Sequence, residues 1–290
     1  MENRITSVLG QANGKILTAI PTGIPYDNIL NGKLGLAYYC IHLFNAHGNE
    51  AFLDKAIDVL DIIFEDVNSG QSYMATRIAL ADGITGLGII LTEFIEGGHI
   101  SKHFKDQVDV ITDFAFEACI KMIDDENFDY FYGATGLLFY LVEVGAEKYY
   151  DEIVNRLYKY AAEHAFLFYN NTKDSYTKGI NFGFAHGTPA ILSVLISLYE
   201  TKSDDEKLKS LILNSMNALL QFGRDNLSIS EITMIDTQET SYITYFPYNV
   251  ITEDRSSPIS AKDEKGLNRY HYSGRLGWCN SDLGHVLMLY

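Results

Sequence analysis

A Gly-x-x-Gly pair opening an apolar helical run recurs along this chain at a nearly constant interval. It occurs at Gly32-Lys33-Leu34-Gly35, at Gly83-Ile84-Thr85-Gly86 and at Gly133-Ala134-Thr135-Gly136. A fourth copy, Gly187-Thr188-Pro189-Ala190, has alanine in the second glycine's place, and a fifth, Ser281-Asp282-Leu283-Gly284, has serine in the first. The first positions lie 51 residues apart from Gly32 to Gly83, then 50 to Gly133, 54 to Gly187 and 94 to Ser281. A steady period near fifty residues is the mark of a repeat architecture.

Each period holds two helical patterns, one apolar nearly all round and one amphipathic. Residues 55–64 are of the second kind, with Ile57, Leu60 and Ile63 on one side. So are residues 106–122, with Val108, Ile111, Phe114, Ala115 and Ala118 on one face. The pattern predicts an all-α fold, an α/α toroid of helical hairpins, with apolar helices inside and amphipathic ones covering them. Glycine at the inner-helix starts permits unusual backbone angles and close approach. In a closed ring the inner N-termini gather at one face, where free amides and helix dipoles favour anions such as thiolates. The 290 residues then form one domain.

The long fourth interval is explained by an insertion. Residues 225–274 are loop-like, rich in Ser, Thr and Tyr, and include Asp254-Arg255-Ser256-Ser257-Pro258. A loop of this length is usually functional or disordered. Tyr242-Ile243-Thr244-Tyr245-Phe246 reads as a short strand, and the excursion is expected to cross the ring face and deliver Arg275 and Cys279. Residues 286–290 then begin a fifth inner helix.

Composition excludes some function classes. A net charge of −16 and a pI near 4.8 leave no basic patch for DNA or RNA. The longest stretch without Asp, Glu, Lys or Arg is 179–199, but Asn181, Gly183, His186, Gly187 and Pro189 fill its first half. A buried helix reached through a polar loop fits it better than a membrane span. The first residues carry no basic start followed by an apolar run, so a signal peptide is not expected. Cys40, Cys119 and Cys279 are odd in number and widely spaced, which points to a reducing compartment, the cytoplasm. Cys40 and Cys119 sit in apolar helical patterns and read as core residues.

Five side chains are candidates for chemistry, and each also has an ordinary role. His186, at a helix start, can simply satisfy backbone partners. Asp129, four residues before Gly133, and Asp82, just before Gly83, are natural helix caps. Arg275 suits a surface ion pair, and a lone cysteine such as Cys279 is usually a small buried hydrophobe. What sets them apart is their company. Asn181-Phe182-Gly183-Phe184-Ala185-His186-Gly187 surrounds the histidine, and Arg275-Leu276-Gly277-Trp278-Cys279 places an arginine four residues before a cysteine that follows the chain's one tryptophan.

As a set these stretches resemble the signature of the lanthionine synthetase C-like cyclases, zinc proteins that add a peptide cysteine thiol across a dehydrated serine or threonine. The resemblance implies an acid/base or positioning role for His186, suited to a pKa near neutrality. It implies a catalytic carboxylate at Asp129, and a cation at Arg275 that stabilises a developing enolate oxygen. It implies Zn2+ as cofactor with Cys279 as a ligand, the metal presenting the substrate thiol as a thiolate. The implied substrate is a dehydrated precursor peptide, and the implied partner a dehydratase, fused or separate.

Two features depart from the family pattern. Ser281 replaces the glycine two residues after the cysteine, and the Cys-His-Gly that members supply one repeat later has no counterpart. Family rings also have seven hairpins, whereas five inner-helix starts are visible here. The expectation is the N-terminal part of a longer cyclase, with His271 and His285 as other candidate ligands; the alternative is a degenerate protein without a working metal site. Two further rivals remain open: an α/α-toroid glycosidase pairing Asp82 with Asp129, and a non-catalytic peptide-binding scaffold. A related activity is thiol addition using glutathione.

Overall fold

A computed structural model describes residues 2–173, 178–223, 233–234, 244–252, 268–272, 277–279 and 282–289. Within these the chain is predominantly helical, as the repeat requires. It falls into two compact units, residues 1–114 and 115–290, with the division inside one helix.

The first unit contains α1 (Glu2–Thr18), α2 (Lys33–His47), α3 (Glu50–Asn68), α4 (Ile84–Glu96) and the first half of α5 (Lys105–Asp124). Helices α2 and α3 form a hairpin, and the apolar helices α2 and α4 pack together. The turn before α2 is closed by a buried ion pair. Lys33 Nζ donates to Asp27 at 2.6 Å and to Asp66 at 2.9 Å. Burial pulls the Lys33 ammonium down, but the two carboxylates outweigh it and hold it above its ordinary range.

The second unit contains the rest of α5, then α6 (Ala134–Glu143), α7 (Tyr150–Glu163), β1 (Tyr169–Asn170), β2 (Gly179–Asn181), α8 (Thr188–Thr201), α9 (Glu206–Leu220), β3 (Thr233–Met234), β4 (Asn249–Thr252), β5 (Asn268–Tyr272) and α10 (Asp282–Leu289). Helix α8 packs between α6 and α10, and the amphipathic pair α7 and α9 pack on each other. On α7, Tyr150, Ile153, Val154, Leu157 and Ala161 face the core at the spacing of a single helical stripe. On α6, by contrast, nearly every position from Ala134 to Leu141 is buried, as an inner helix demands.

The glycine turns share one geometry. Gly32, Gly83, Gly133 and Gly187 each cap the helix that follows, all with extended backbone angles that any residue adopts. Glycine is required for space instead. A Cβ at Gly133 would meet Asn127 Oδ1 and the Asp129 amide at 2.5 Å, and one at Gly187 would lie 2.0 Å from the Asn181 carbonyl. The fifth copy follows the same plan: a Cβ on Gly284 would fall 2.6 Å from Trp278 O, six residues back, as one on Gly35 would fall 2.5 Å from Ile29 O.

Three sequence expectations need correcting. Phe114 is 66% exposed; the buried stripe of α5 runs Val108, Ile111, Ala115, Cys119, Ile123 and leaves position 114 off its edge. Asp82 is not a cap: its carboxylate pairs with Arg77 at 2.6 Å, and α4 begins at Gly83 with no side-chain cap. Of the strand expected at 242–246, residues 242–243 lie outside the described residues and Thr244, Tyr245 and Phe246 are not extended ladder. The Asp282 carboxylate accepts hydrogen bonds from the Tyr245 and Phe246 amides at 2.7 and 3.0 Å, which occupies those donors in place of a strand ladder. The helical fold also carries a small sheet, in the order β1-β2-β4-β5-β3, antiparallel except for β3 with β5. Cys40 and Cys119 are core residues as expected, their thiols pushed by burial to about 11 and about 12.

Candidate functional site

Three segments of the second unit meet where α6, α8 and α10 begin. The first is the turn 127–133 before α6. Asn127 Oδ1 accepts from the Asp129 amide at 3.3 Å, and its Nδ2 donates to Tyr132 O at 3.1 Å, closing the turn on itself. Asp129 then adds its own brace: Oδ1 accepts from the amides of Phe131 and Tyr132, both at 2.8 Å. This is the local self-bonding for which Asp is favoured in turns. The ordinary role of Asp129 is therefore real, but it is a turn brace rather than a cap on α6, and it uses one carboxylate oxygen.

The other oxygen serves His186, in the turn before α8. His186 Nδ1 donates to Asp129 Oδ2 at 2.5 Å. Asp129 is 4% exposed, so this pair lies in low dielectric, where a charge-assisted hydrogen bond is short and strong. With an acceptor-only carboxylate at Nδ1, that nitrogen carries the proton and Nε2 is the proton-accepting nitrogen of the neutral ring.

The third segment is Gly277-Trp278-Cys279, before α10. It runs beside the histidine turn: Phe184 N–H donates to Trp278 O and Ala185 N–H to Cys279 O, both at 3.3 Å. Ala185 O in turn accepts from Tyr130 N–H at 3.2 Å. One ladder of backbone bonds thus joins the loops of Asp129, His186 and Cys279. Aromatic rings surround it. Phe131 meets the His186 ring at 6.3 Å between centroids and the Trp278 indole at 6.0 Å, and Phe184 meets the same indole at 6.2 Å. Trp278 and Tyr132 are exposed, and Cys279 is half-buried with a free thiol.

Of the residues singled out by sequence, the structure brings His186 and Asp129 into contact and places the Cys279 backbone against Ala185. Arg275 lies outside the described residues, as do Asn280 and Ser281. The sequence reading passed over Asn127, Phe131, Asn170 and Asp282. Asn170 left a trace, an amide ending the apolar run Leu167-Phe168-Tyr169, where a side chain needs a partner if buried.

The profile of the lanthionine synthetase C-like protein family matches residues 25–244. The chain belongs to this family. A search among curated proteins returned no match. The matched span covers the first four glycine turns and both partners of the His186–Asp129 pair, and stops short of Arg275 and Cys279. The lanthionine synthetase C-like fold accounts for the repeated hairpins and the glycine-cradled helix starts.

The family is associated with zinc, and a zinc site needs at least three protein ligands around an open position. Among the described residues no three His, Cys, Asp or Glu side chains gather to hold a metal. Cys279 contributes one thiol. His285 is buried on α10 and stacked on Phe246 at 4.1 Å. His271 lies in β5 opposite Asn249, its imidazole pushed below its ordinary range by burial and by Arg269. The described residues do not by themselves fit a zinc site.

Proposed function

We propose that this chain is a lanthionine cyclase-like protein that adds peptide cysteine thiols to dehydroalanine or dehydrobutyrine, forming the thioether rings of a lantibiotic-type peptide. What supports this reading is the 2.5 Å His186–Asp129 contact, made between turns 57 residues apart, in a member of the lanthionine synthetase C-like family.

The reaction needs a proton moved, and no group lost. His186 Nε2 takes the proton from the peptide thiol, and the sulfur forms a bond to the β-carbon as the C=C electron pair moves onto the α-carbon and its carbonyl. The histidine then returns a proton to the α-carbon. Asp129 holds the ring by Nδ1 and faces the transient imidazolium, a division of labour worth roughly 10²–10⁴-fold in rate. Arg275 is proposed for the enolate oxygen, and Cys279 for the family's zinc-ligand position. The aromatic rings of Phe131, Tyr132 and Trp278 would flank the bound peptide.

The same period runs through both compact units, and on that ground we assign residues 1–290 to one α/α-toroid domain. No helix among the described residues is long and apolar enough to cross a membrane. With free thiols at all three cysteines, the cytoplasm is the proposed location, where a dehydratase would supply the substrate.

A second reading shares the site. The exposed Trp278 and Tyr132 also suit a peptide-binding protein without turnover. Ring closure adds no mass, so the two are separated by incubating a dehydrated precursor peptide with the protein and alkylating the remaining thiols. Loss of alkylatable thiol supports the cyclase; tight binding with every thiol retained supports the binding protein.

A further inference from the structure

A side chain from outside both turns bonds to each of them. Asn170, on β1, is 1% exposed. Its Oδ1 accepts from Phe128 N–H at 2.7 Å, on the residue next to Asp129, and its Nδ2 donates to His186 O at 2.7 Å. The donor and acceptor ends of one amide are thereby matched to an N–H on the Asp129 turn and a carbonyl on the His186 turn. The strand holds Asn170 in place from behind, pairing it with Gly179 on β2. At Gly179 a Cβ would meet Val250 O at 2.5 Å, so β4 is pressed close behind in turn.

We propose that Asn170 is a positioning residue that sets the register between Asp129 and His186 and so fixes the imidazole tautomer. This rests on His186 as the proton-handling group. Asn is suited to the task where Asp, Gln and Leu are not. An aspartate would turn a carboxylate oxygen on the His186 carbonyl, glutamine is one methylene too long for two 2.7 Å bonds, and leucine makes neither. A backbone bond between neighbours of the pair, Tyr130 N–H to Ala185 O at 3.2 Å, also joins the two turns and is longer. Without Asn170 the turns lose both 2.7 Å bonds while the Tyr130–Ala185 bond keeps them attached, so their register is less closely set.

The test uses full-length protein labelled with 15N at histidine, with the His186 ring nitrogens assigned by their loss in His186→Gln. At a pH where the imidazoles are neutral, the wild type is expected to show the Nδ1–H tautomer, and Asn170→Leu a mixture. On a dehydrated peptide, kcat should fall about a hundredfold with KM little changed, the scale of a misplaced catalytic group. If Asn170→Leu does not fold, Asn170→Asp keeps the size and the Phe128 acceptor and carries the same comparison. A wild-type tautomer in the folded variant overturns the inference and leaves the cyclase reading standing. A wild type that closes no rings defeats the cyclase reading, while the tautomer shift still decides the role of Asn170.

Discussion

Residue by residue, the three thiols differ in burial, Cys279 being half-buried and the other two buried. Cys40 and Cys119 are fully buried, with thiols raised to about 11 and about 12, so neither supplies thiolate near neutrality. Cys279 is half-buried in the turn beside His186. A thiol-specific reagent should therefore label native protein at Cys279 alone and all three cysteines after unfolding, as read by mass spectrometry of the peptides. Prompt labelling of Cys119 in native protein would mean that α5 does not pack as described. His271 offers a second check. Its pKa lies below the 6.5 of a free imidazole, chiefly through burial and then through Arg269, so the unfolded chain binds the proton more readily than the folded one. Its contribution is therefore absent above pH 6.5 and appears as a loss of stability as the pH falls from 6.5 towards the lower folded value. His271→Gln should flatten that part of a urea-denaturation pH series; an unchanged slope would mean the imidazole is not desolvated.

At the scale of elements, each inner helix depends on a glycine pressed against the loop before it. Gly187→Ala would drive a methyl group into the Asn181 carbonyl, 2.0 Å away. Overpacking of a well-packed site typically costs about 1–3 kcal/mol, and backbone on the far side cannot yield as a side chain does, so about 3 kcal/mol or more is expected from urea midpoints. The buried ion pair before α2 is the other sensitive point. Lys33→Met leaves Asp27 buried without its partner, which should cost about 3–5 kcal/mol, whereas removing both charges together should cost much less. These turns were legible in the sequence because close approach admits only glycine, and that demand repeats with the fold. That residues 244–246 are not strand was not legible, because the competitor for the amides, Asp282, is more than thirty residues away and unrelated to any local pattern. Asn170 was hidden for the same reason: its partners lie 42 residues before it and 16 after it. What the sequence does supply is the period, the apolar inner helices and the two residues whose contact makes the candidate site.

Across the whole molecule, a strongly acidic helical chain of the lanthionine synthetase C-like family carries its candidate chemistry in residues 115–290. The two turns that carry Asp129 and His186 both lie within the span matched by the family, one repeat apart. The structure adds the backbone ladder from Tyr130 through Ala185 to Cys279 that keeps those turns side by side. The measurement that bears most directly on the central claim is the rate of thiol loss from a dehydrated precursor peptide with wild type, His186→Ala and Asp129→Asn, each checked for folding by circular dichroism. We expect His186→Ala to be slower by roughly 10²–10⁴-fold and Asp129→Asn to be slowed in the same step, because both act on one proton. A His186→Ala protein that closes rings at the wild-type rate would contradict the assignment.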